Sequence, residues 1–440
     1  MLLRARYSDL LPALAMSANF ALAPLSEIAH IEMGQSPDSA TVQEGESDGA
    51  PFLQGNAEFG ASYPSPRFSC RAPMKMCKAG DVLLSVRAPV GAMNIADRDY
   101  CIGRGLAAVR VRGMSSSLAS HVVNAAVAAL RRVAQGTTFE AISKSDLANL
   151  VVQVPPDEDR AALSQIVDTL DTTIRQTEAI IDKLKQVKQG LLHDLLTRGI
   201  ADNGELRPPQ SEAPHLYKES ALGWIPSQWT VRRIEALLAA DEPAMRSGPF
   251  GSALLKHELV EHGVPLLGID NVHVERFHAE FTRFVTEKKF NELARYAVRA
   301  DDLMITIMGT VGRCCLVPEG VGRALSSKHT WTITLDRAAY SPLLAMLQIN
   351  YSEWISRQFA KDEQGGVMSA IRSETLRGLE LPTPPIKEQL AIEARMRAIS
   401  VRIDAESASL KKLRLKKSGL MDDLLTGRVR VTPLLLGAPA

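Results

Sequence analysis

Cysteine is scarce in this chain. Cys70, Cys77, Cys101, Cys314 and Cys315 form no pair of CxxC motifs at zinc spacing, and their odd number argues against a disulfide framework. A reducing, cytoplasmic setting is expected. No run reaches 18 apolar residues, so no membrane-spanning helix is expected either. The opening MLLRARYSDLLPALA has the arginines and leucines of a secretory leader, but Asp9 and Pro12 break its apolar run. Translation is expected to begin at Met16, with Met1 the alternative.

Catalytic motifs are also missing. There is no GxxxxGK[ST] loop, no GxSxG and no strict GxGxxG; GRGLAA (103–108) fits only a looser glycine pattern and runs into a strand-like AAVRVRG where a phosphate loop needs a helix. HELVEH (257–262) spaces His257 and His262 five apart, which a helix does not bring to one metal. TEKKF (286–290) and KDEQ (361–364) are ordinary surface combinations, and SGPFGS (247–252) lacks the lysine of a phosphate cradle. No catalytic residue and no metal ligand is nominated. The chain reads as a binder.

What is present is the composition of an average globular protein: 45% hydrophobic, 23% charged and a net charge of +1 over 440 residues, a length that suits two or three domains. Near-neutrality speaks against a uniformly basic nucleic-acid surface. The distribution is uneven, however. Residues 27–58 hold seven acids and no Lys or Arg, whereas residues 67–132 hold eleven Lys or Arg against three Asp, so a local basic face is available.

The sequence repeats itself. At an offset of 229, residues 135–163 match 364–392 at nine of 29 positions, where composition alone gives about two. Gln135-Gly136, Ala141-Ile142, Leu147, Leu150 and Pro155-Pro156 all recur. In the same register LKQVKQGLLHDLLT (184–197) matches LRLKKSGLMDDLLT (413–426) at eight of 14 positions. Upstream the offset becomes 221, aligning GDVLLSVRAPVG with DDLMITIMGTVG, and the likeness then weakens. Each half therefore has a divergent first part and a well-kept second part.

The well-kept parts read as helices. Positions at alternating spacings of four and three are apolar at Leu163, Val167, Leu170, Ile174, Ile181, Leu184, Leu191 and Leu195, and again at Ile392, Met396, Ile399, Ile403, Leu410, Leu413, Leu420 and Leu424. Thr177 and Glu406, like Lys188 and Lys417, interrupt the two stripes at matching places. Each helix of roughly 40 residues extends about 60 Å and cannot bury its stripe alone. The simplest cover for one is the other, antiparallel, about a pseudo-two-fold axis. His193, opposite Asp422 in the repeat, suits an exposed helix face.

The divergent parts read as α+β: DVLLSVRA, AAVRVRG, LMITIM and TWTITLD are strand-like, while HVVNAAVAALRRVA and SPLLAMLQINYSEWISRQFA are helical. The expected organisation is an N-terminal extension (1–24), a mixed domain (25–155), a long helix (156–198), a polar Gly/Pro-rich linker (199–215), a second mixed domain (216–384), a second long helix (385–427) and a tail (428–440). The fold expected is two α/β-type domains separated by a long antiparallel two-helix coiled coil, with an internal pseudo-two-fold repeat.

From about Leu25 to Val431 this order of motifs resembles the specificity subunits of type I restriction-modification enzymes. The resemblance rests on GQSP (34–37), GPFGSALL and GVPLLGIDNV (248–272), the two GDVLLSVRAPVG-type segments, the twice-occurring QG...AI...L..L...PP block, and GLMDDLLTGRV. It implies two target recognition domains, each reading one half of an asymmetric bipartite site in double-stranded DNA, and helices that dock two methyltransferase subunits. Restriction/translocase subunits join for cleavage. S-adenosylmethionine, ATP and Mg are then expected on those partners and no cofactor on this chain. Arg87, Lys144, Lys328, His329 and Arg372 are the candidate contacts to DNA backbone or base edges. Pro89, opposite Thr310, bears on whether the two loops are equivalent. The competing readings are a coiled-coil scaffold whose globular ends bind proteins, and a stand-alone enzyme.

Overall fold

A computed structural model describes residues 20–45, 48–61, 63–134, 141–240, 243–363, 371–425, 428–429 and 431. Met16, most of the expected N-terminal extension, both Gln-Gly pairs of the repeated block and most of the tail lie outside these residues. The chain divides into two units, residues 1–181 with 405–440 and residues 182–404. Both divisions fall inside long helices, Asp157–Thr197 and Ile386–Leu425.

In the first unit, strands Ala29–Met33, Leu106–Val111, Val82–Ser85 and Met93–Ile95 form an antiparallel sheet in that order. Its central strands are buried on both faces, which explains why DVLLSV is a continuous apolar run instead of an alternating one. Val82, Leu84 and Val109 pack on Leu118, Val122 and Leu130 of helix Ser116–Ala134, while Leu83, Leu106 and Ala108 face Leu53, Tyr100 and Ile102. The latter belong to a five-stranded sheet in which Ala50–Leu53 runs parallel to Tyr100–Ile102.

In the second unit, Met245–Ser247, Thr330–Ile333, Leu303–Thr306 and Cys314–Leu316 make a four-stranded antiparallel sheet of corresponding order. Leu303 and Ile305 face one core and Met304 another, beside a sheet in which Val264–Leu267 is parallel to Leu325–Ser326. Helices Pro342–Tyr351 and Glu353–Glu363 fill the position expected for one helical run.

Within the first unit, Lys417 of the second long helix pairs with Asp171 of the first, and Arg414 pairs with Glu178 at 2.6 Å. Residue numbers rise in one helix as they fall in the other, so the two segments run antiparallel there. Leu163 and Val167 share a core with Met421 and Leu424. Within the second unit, Leu192, Leu195 and Leu196 share one with Ile392 and Met396. Of the expected stripe, Leu163 and Ile181 are buried, and Leu170, Ile174, Leu184, Leu191, Ile399, Ile403, Leu410 and Leu413 are half-buried. Leu420 does not continue it: it is exposed, and Met421 is buried instead. A straight helix drifts from a heptad repeat by about 20° each heptad, and by this last turn the inward direction belongs to the residues entering the first unit's core. The two matching lysines are satisfied by ions, Lys417 by Asp171 and Lys188 by Glu275 at 2.5 Å.

The segment expected to be a linker is packed. Ile200 and Leu206 form a β-bridge, and Arg207 is buried against Glu388 of the second long helix. Its glycines and prolines make turns, Gly199 and Gly204 at positive φ, but its single deep cation ties it to the unit.

Candidate nucleic-acid interface

At one end of the first unit's sheets, four turns are stitched together through their backbones. Gly34 N–H donates to Leu106 O at 2.8 Å and Gln35 N–H to Ile102 O at 2.9 Å. Gly103 N–H donates to Leu53 O at 2.8 Å, and Val86 N–H to Gly105 O at 2.9 Å. A side-chain carbon at Gly34 would lie 2.1 Å from Gly103 O, so this crossing requires glycine. The turns at 34–36, 54–55, 86–91 and 103–105 thus share one platform, with Gln35, Gln54, Arg87 and Arg104 exposed on it.

The second unit repeats part of the stitching. Gly248 N–H donates to Ser327 O at 3.1 Å, Ser327 N–H to Leu267 O at 2.8 Å, and Ile307 N–H to His329 O at 3.2 Å. A side-chain carbon at Gly248 would meet Ser326 O at 2.1 Å. By the last two bonds Leu53 corresponds to Leu267, Val86 to Ile307, and Gly103-Arg104-Gly105 to Ser327-Lys328-His329. Strand register, Met33 opposite Ala107 and Ser247 opposite Trp331, matches Gly34 to Gly248, although their N–H groups find different acceptors.

The Pro89 loop matches its counterpart despite the substitution. Ser85 Oγ donates to Pro89 O at 2.6 Å and accepts from Ala92 N–H at 2.8 Å; Thr306 Oγ1 donates to Thr310 O and accepts from Arg313 N–H at 3.1 Å. Gly91 and Gly312 both have φ of 85°. Only a carbonyl is demanded of residues 89 and 310, and proline supplies one.

The candidate residues are placed as follows. Arg87 and Lys328 are exposed on the platforms and His329 is half-buried beside Lys328. Burial, followed by the nearby Lys328 and Arg283 charges, holds the His329 imidazole below its ordinary pKa. Lys144 is exposed at the first position of helix Lys144–Ala148, close in chain to Ala141, which bridges to Arg87. Arg372, exposed, precedes helix Ser373–Gly378 and follows Ile371, whose carbonyl accepts from Trp331 Nε1 at 3.2 Å. A pocket of about 220 Å³ at Lys328 and His329 adds Lys256, Arg283 and Ser327. Ser327 Oγ and Arg283 Nε are buried there without a hydrogen-bond partner among the described residues. Such groups suit an anionic oxygen, because an unmet buried donor costs about 1–3 kcal/mol.

Sequence reasoning overlooked Arg104, Lys256, Arg283 and Ser327. Arg104 lay inside GRGLAA, set aside as a poor phosphate loop; intermediate between the offsets 221 and 229, it aligns with Lys328. The other motifs are structural. HELVEH is a 3-10 turn at Lys256–Glu258 followed by strand Leu259–Val260, and TEKKF is a helix start in which Lys289 pairs with Glu258 at 2.7 Å. No cluster of potential metal ligands occurs among the described residues. No helix among them is long and apolar enough to cross a membrane.

The chain is similar in sequence or in fold to known proteins. The family model for the type I restriction modification DNA specificity domain matches residues 19–186. A Methanocaldococcus jannaschii chain named for the type I restriction enzyme MjaX specificity subunit is 35% identical over 169 residues, 38% of this chain and 40% of that relative. The present chain thus spans under half of that relative's length. The MjaVIII specificity subunit of the same organism is 23% identical over 318 residues, covering 69% and 68% of the two chains. The EcoDI specificity subunit of Escherichia coli is 19% identical over 365 residues, covering 80% and 76%. The crystal structure of the type I restriction-modification S subunit from M. genitalium superposes with a TM-score of 0.59 at 14% identity, over 92% of this chain and 95% of that one, a likeness of fold.

Proposed function

Since residues 19–186 match the type I restriction modification DNA specificity domain and named specificity subunits resemble the chain, we propose that it is such a subunit, that it reads an asymmetric bipartite sequence in double-stranded DNA, one half with each unit, and that it performs no catalysis. The observation that carries this reading is the four-turn platform, held in both units by two equivalent backbone bonds, Gly103 to Leu53 with Ser327 to Leu267 and Val86 to Gly105 with Ile307 to His329, but carrying different side chains. Framework kept and contacts changed is what two readers of different sequences require.

In this reading residues 25–155 and 216–384 are target recognition domains, related by an internal pseudo-two-fold repeat and separated by an antiparallel coiled coil of helices 156–198 and 385–427. The helices fix the spacer between half-sites, because a second encounter on one scaffold is intramolecular. They also dock two methyltransferase subunits, with restriction/translocase subunits added for cleavage; Leu390, Val401 and Leu415 leave 60%, 66% and 65% of their surface exposed on the second helix, which favours further cover. S-adenosylmethionine, ATP and Mg belong to those partners. Five buried, unpaired cysteines support a cytoplasmic site.

The test is to express the chain with its methyltransferase subunits and sequence the methylated DNA. A split, asymmetric motif is expected. Assembly without sequence-selective methylation or DNA binding would favour a protein-binding scaffold instead.

A further inference from the structure

We infer that the two units read DNA through opposite chemistry, the second recognising thymine methyl groups with an exposed apolar cluster where the first presents hydrogen-bonding side chains. The inference rests on the DNA-reading function proposed above and names the bases that each platform suits.

Three corresponding positions carry it. Counted from Gly34 and Gly248, Ser36 in the first unit matches Phe250 in the second. The second unit is one residue shorter after Leu267 than the first is after Leu53, and counted from Gly55 and Gly268, which precede equivalent 3-10 turns, Asn56 matches Ile269. Counted from Val86 and Ile307, Arg87 matches Met308. At these three positions a polar residue of the first platform is apolar in the second, while Arg104 keeps its charge as Lys328. Phe250, Ile269 and Met308 are 60%, 38% and 40% exposed, so none of them is there to fill a core.

The three belong to one surface. Phe250 follows Gly248, which is bonded to Ser327; Ile269 follows Leu267, bonded to the same residue; Met308 follows Ile307, bonded to His329. The tip of Ile269 lies 4.0 Å from where a side chain on Gly309 would begin. A lone exposed apolar residue is ordinary, but three converging on one platform, beside the exposed cations Lys256 and Lys328, mark a contact surface. Those cations suit a polyanion and place the apolar groups against its interior edge. In the major groove, thymine alone presents a methyl group, whereas arginine pairs best with guanine and asparagine with adenine. The occupant of the second platform is therefore the thymine-bearing edge of its half-site, and the first platform suits purines.

The experiment uses the full chain assembled with its methyltransferase subunits and duplexes carrying the methylated motif. The second unit's half-site is the one that persists when residues 25–134 are replaced by those of another family member. Deoxyuridine substituted for thymine in that half-site should weaken binding about fourfold per contacted methyl, and the same change in the other half-site should have little effect. Phe250→Ala and Met308→Ser should reduce the thymine-over-uracil preference towards unity while the subunits stay assembled. A second half-site without thymine, or equal binding of thymine and uracil, overturns the inference while leaving DNA reading intact. Loss of methyltransferase subunits from Met308→Ser overturns it too, by making the patch a protein interface. Absence of any sequence-selective binding defeats the function itself.

Discussion

Arg207 Nη2 donates to Glu388 Oε2 at 2.9 Å, and both side chains are more than nine-tenths buried. Glu388 also accepts from Ile200 N–H at 2.8 Å, so one carboxylate of the second long helix secures both the turn and the cation of the segment that follows the first. Removing it strands a buried guanidinium and an amide. Glu388→Ala should cost about 3–5 kcal/mol of stability, read from the denaturant midpoint; a loss below about 1 kcal/mol, the range of exposed pairs, would contradict the assigned burial.

His121 lines a pocket with Asp171, Arg175, Glu178 and Lys417. Burial, and then the Lys417 charge, push its pKa from an ordinary 6.5 down to about 4. The unfolded chain thus takes up a proton near pH 6.5 that the folded chain refuses until near pH 4. This contribution to stability is complete above pH 6.5 and is lost as pH falls towards 4. His121→Gln should flatten that part of the Tm profile, whereas an unchanged slope would remove His121 as its source.

If the stripes of the long helices cover each other, Leu184→Asp with Leu413→Asp should lower Tm by several degrees and weaken assembly with the methyltransferase subunits, since each buries an unpaired charge. Size-exclusion chromatography with thermal unfolding measures both. A double variant that keeps full stability and assembly would show the seam to be misassigned.

Arg104→Ala and Lys328→Ala should each weaken binding to all DNA sequences alike and reduce the slope of log K against log salt by about 1, the signature of one phosphate contact. Salt titrations of binding decide this. A variant that alters the preferred bases but not the slope would make the residue a base reader.

The repeat made much of the fold legible because helices preserve a gapless register. The strands were legible too, since Val82–Leu84 and Leu303–Ile305 are unbroken apolar runs, as suits strands covered on both faces. Less legible were features assembled from distant backbone. The bond from Gly34 to Leu106 has no side-chain signature, and insertions shift the repeat offset from 214 at Gly34 to 221 at Val86, 224 at Arg104 and 229 at Ile142. Arg104 was therefore hidden while Lys328 was picked out. Leu420 satisfied the heptad pattern, but helical drift and the neighbouring core turned Met421 inward in its place. Composition marked the turns of residues 199–215, yet the partner that buries Arg207 stands 181 positions away.

The central claim is that each unit reads its own half-site while the helices set the distance between them. Replacing residues 25–134 with the matching part of another family member, then sequencing the methylated DNA of cells that carry the hybrid, tests it most directly. A companion insertion of four residues in one long helix, about 6 Å and 40° of rotation, should alter the spacer or abolish function. The hybrid is expected to methylate a motif with one new half, the other half and the spacer unchanged; a motif changed in both halves would contradict the account.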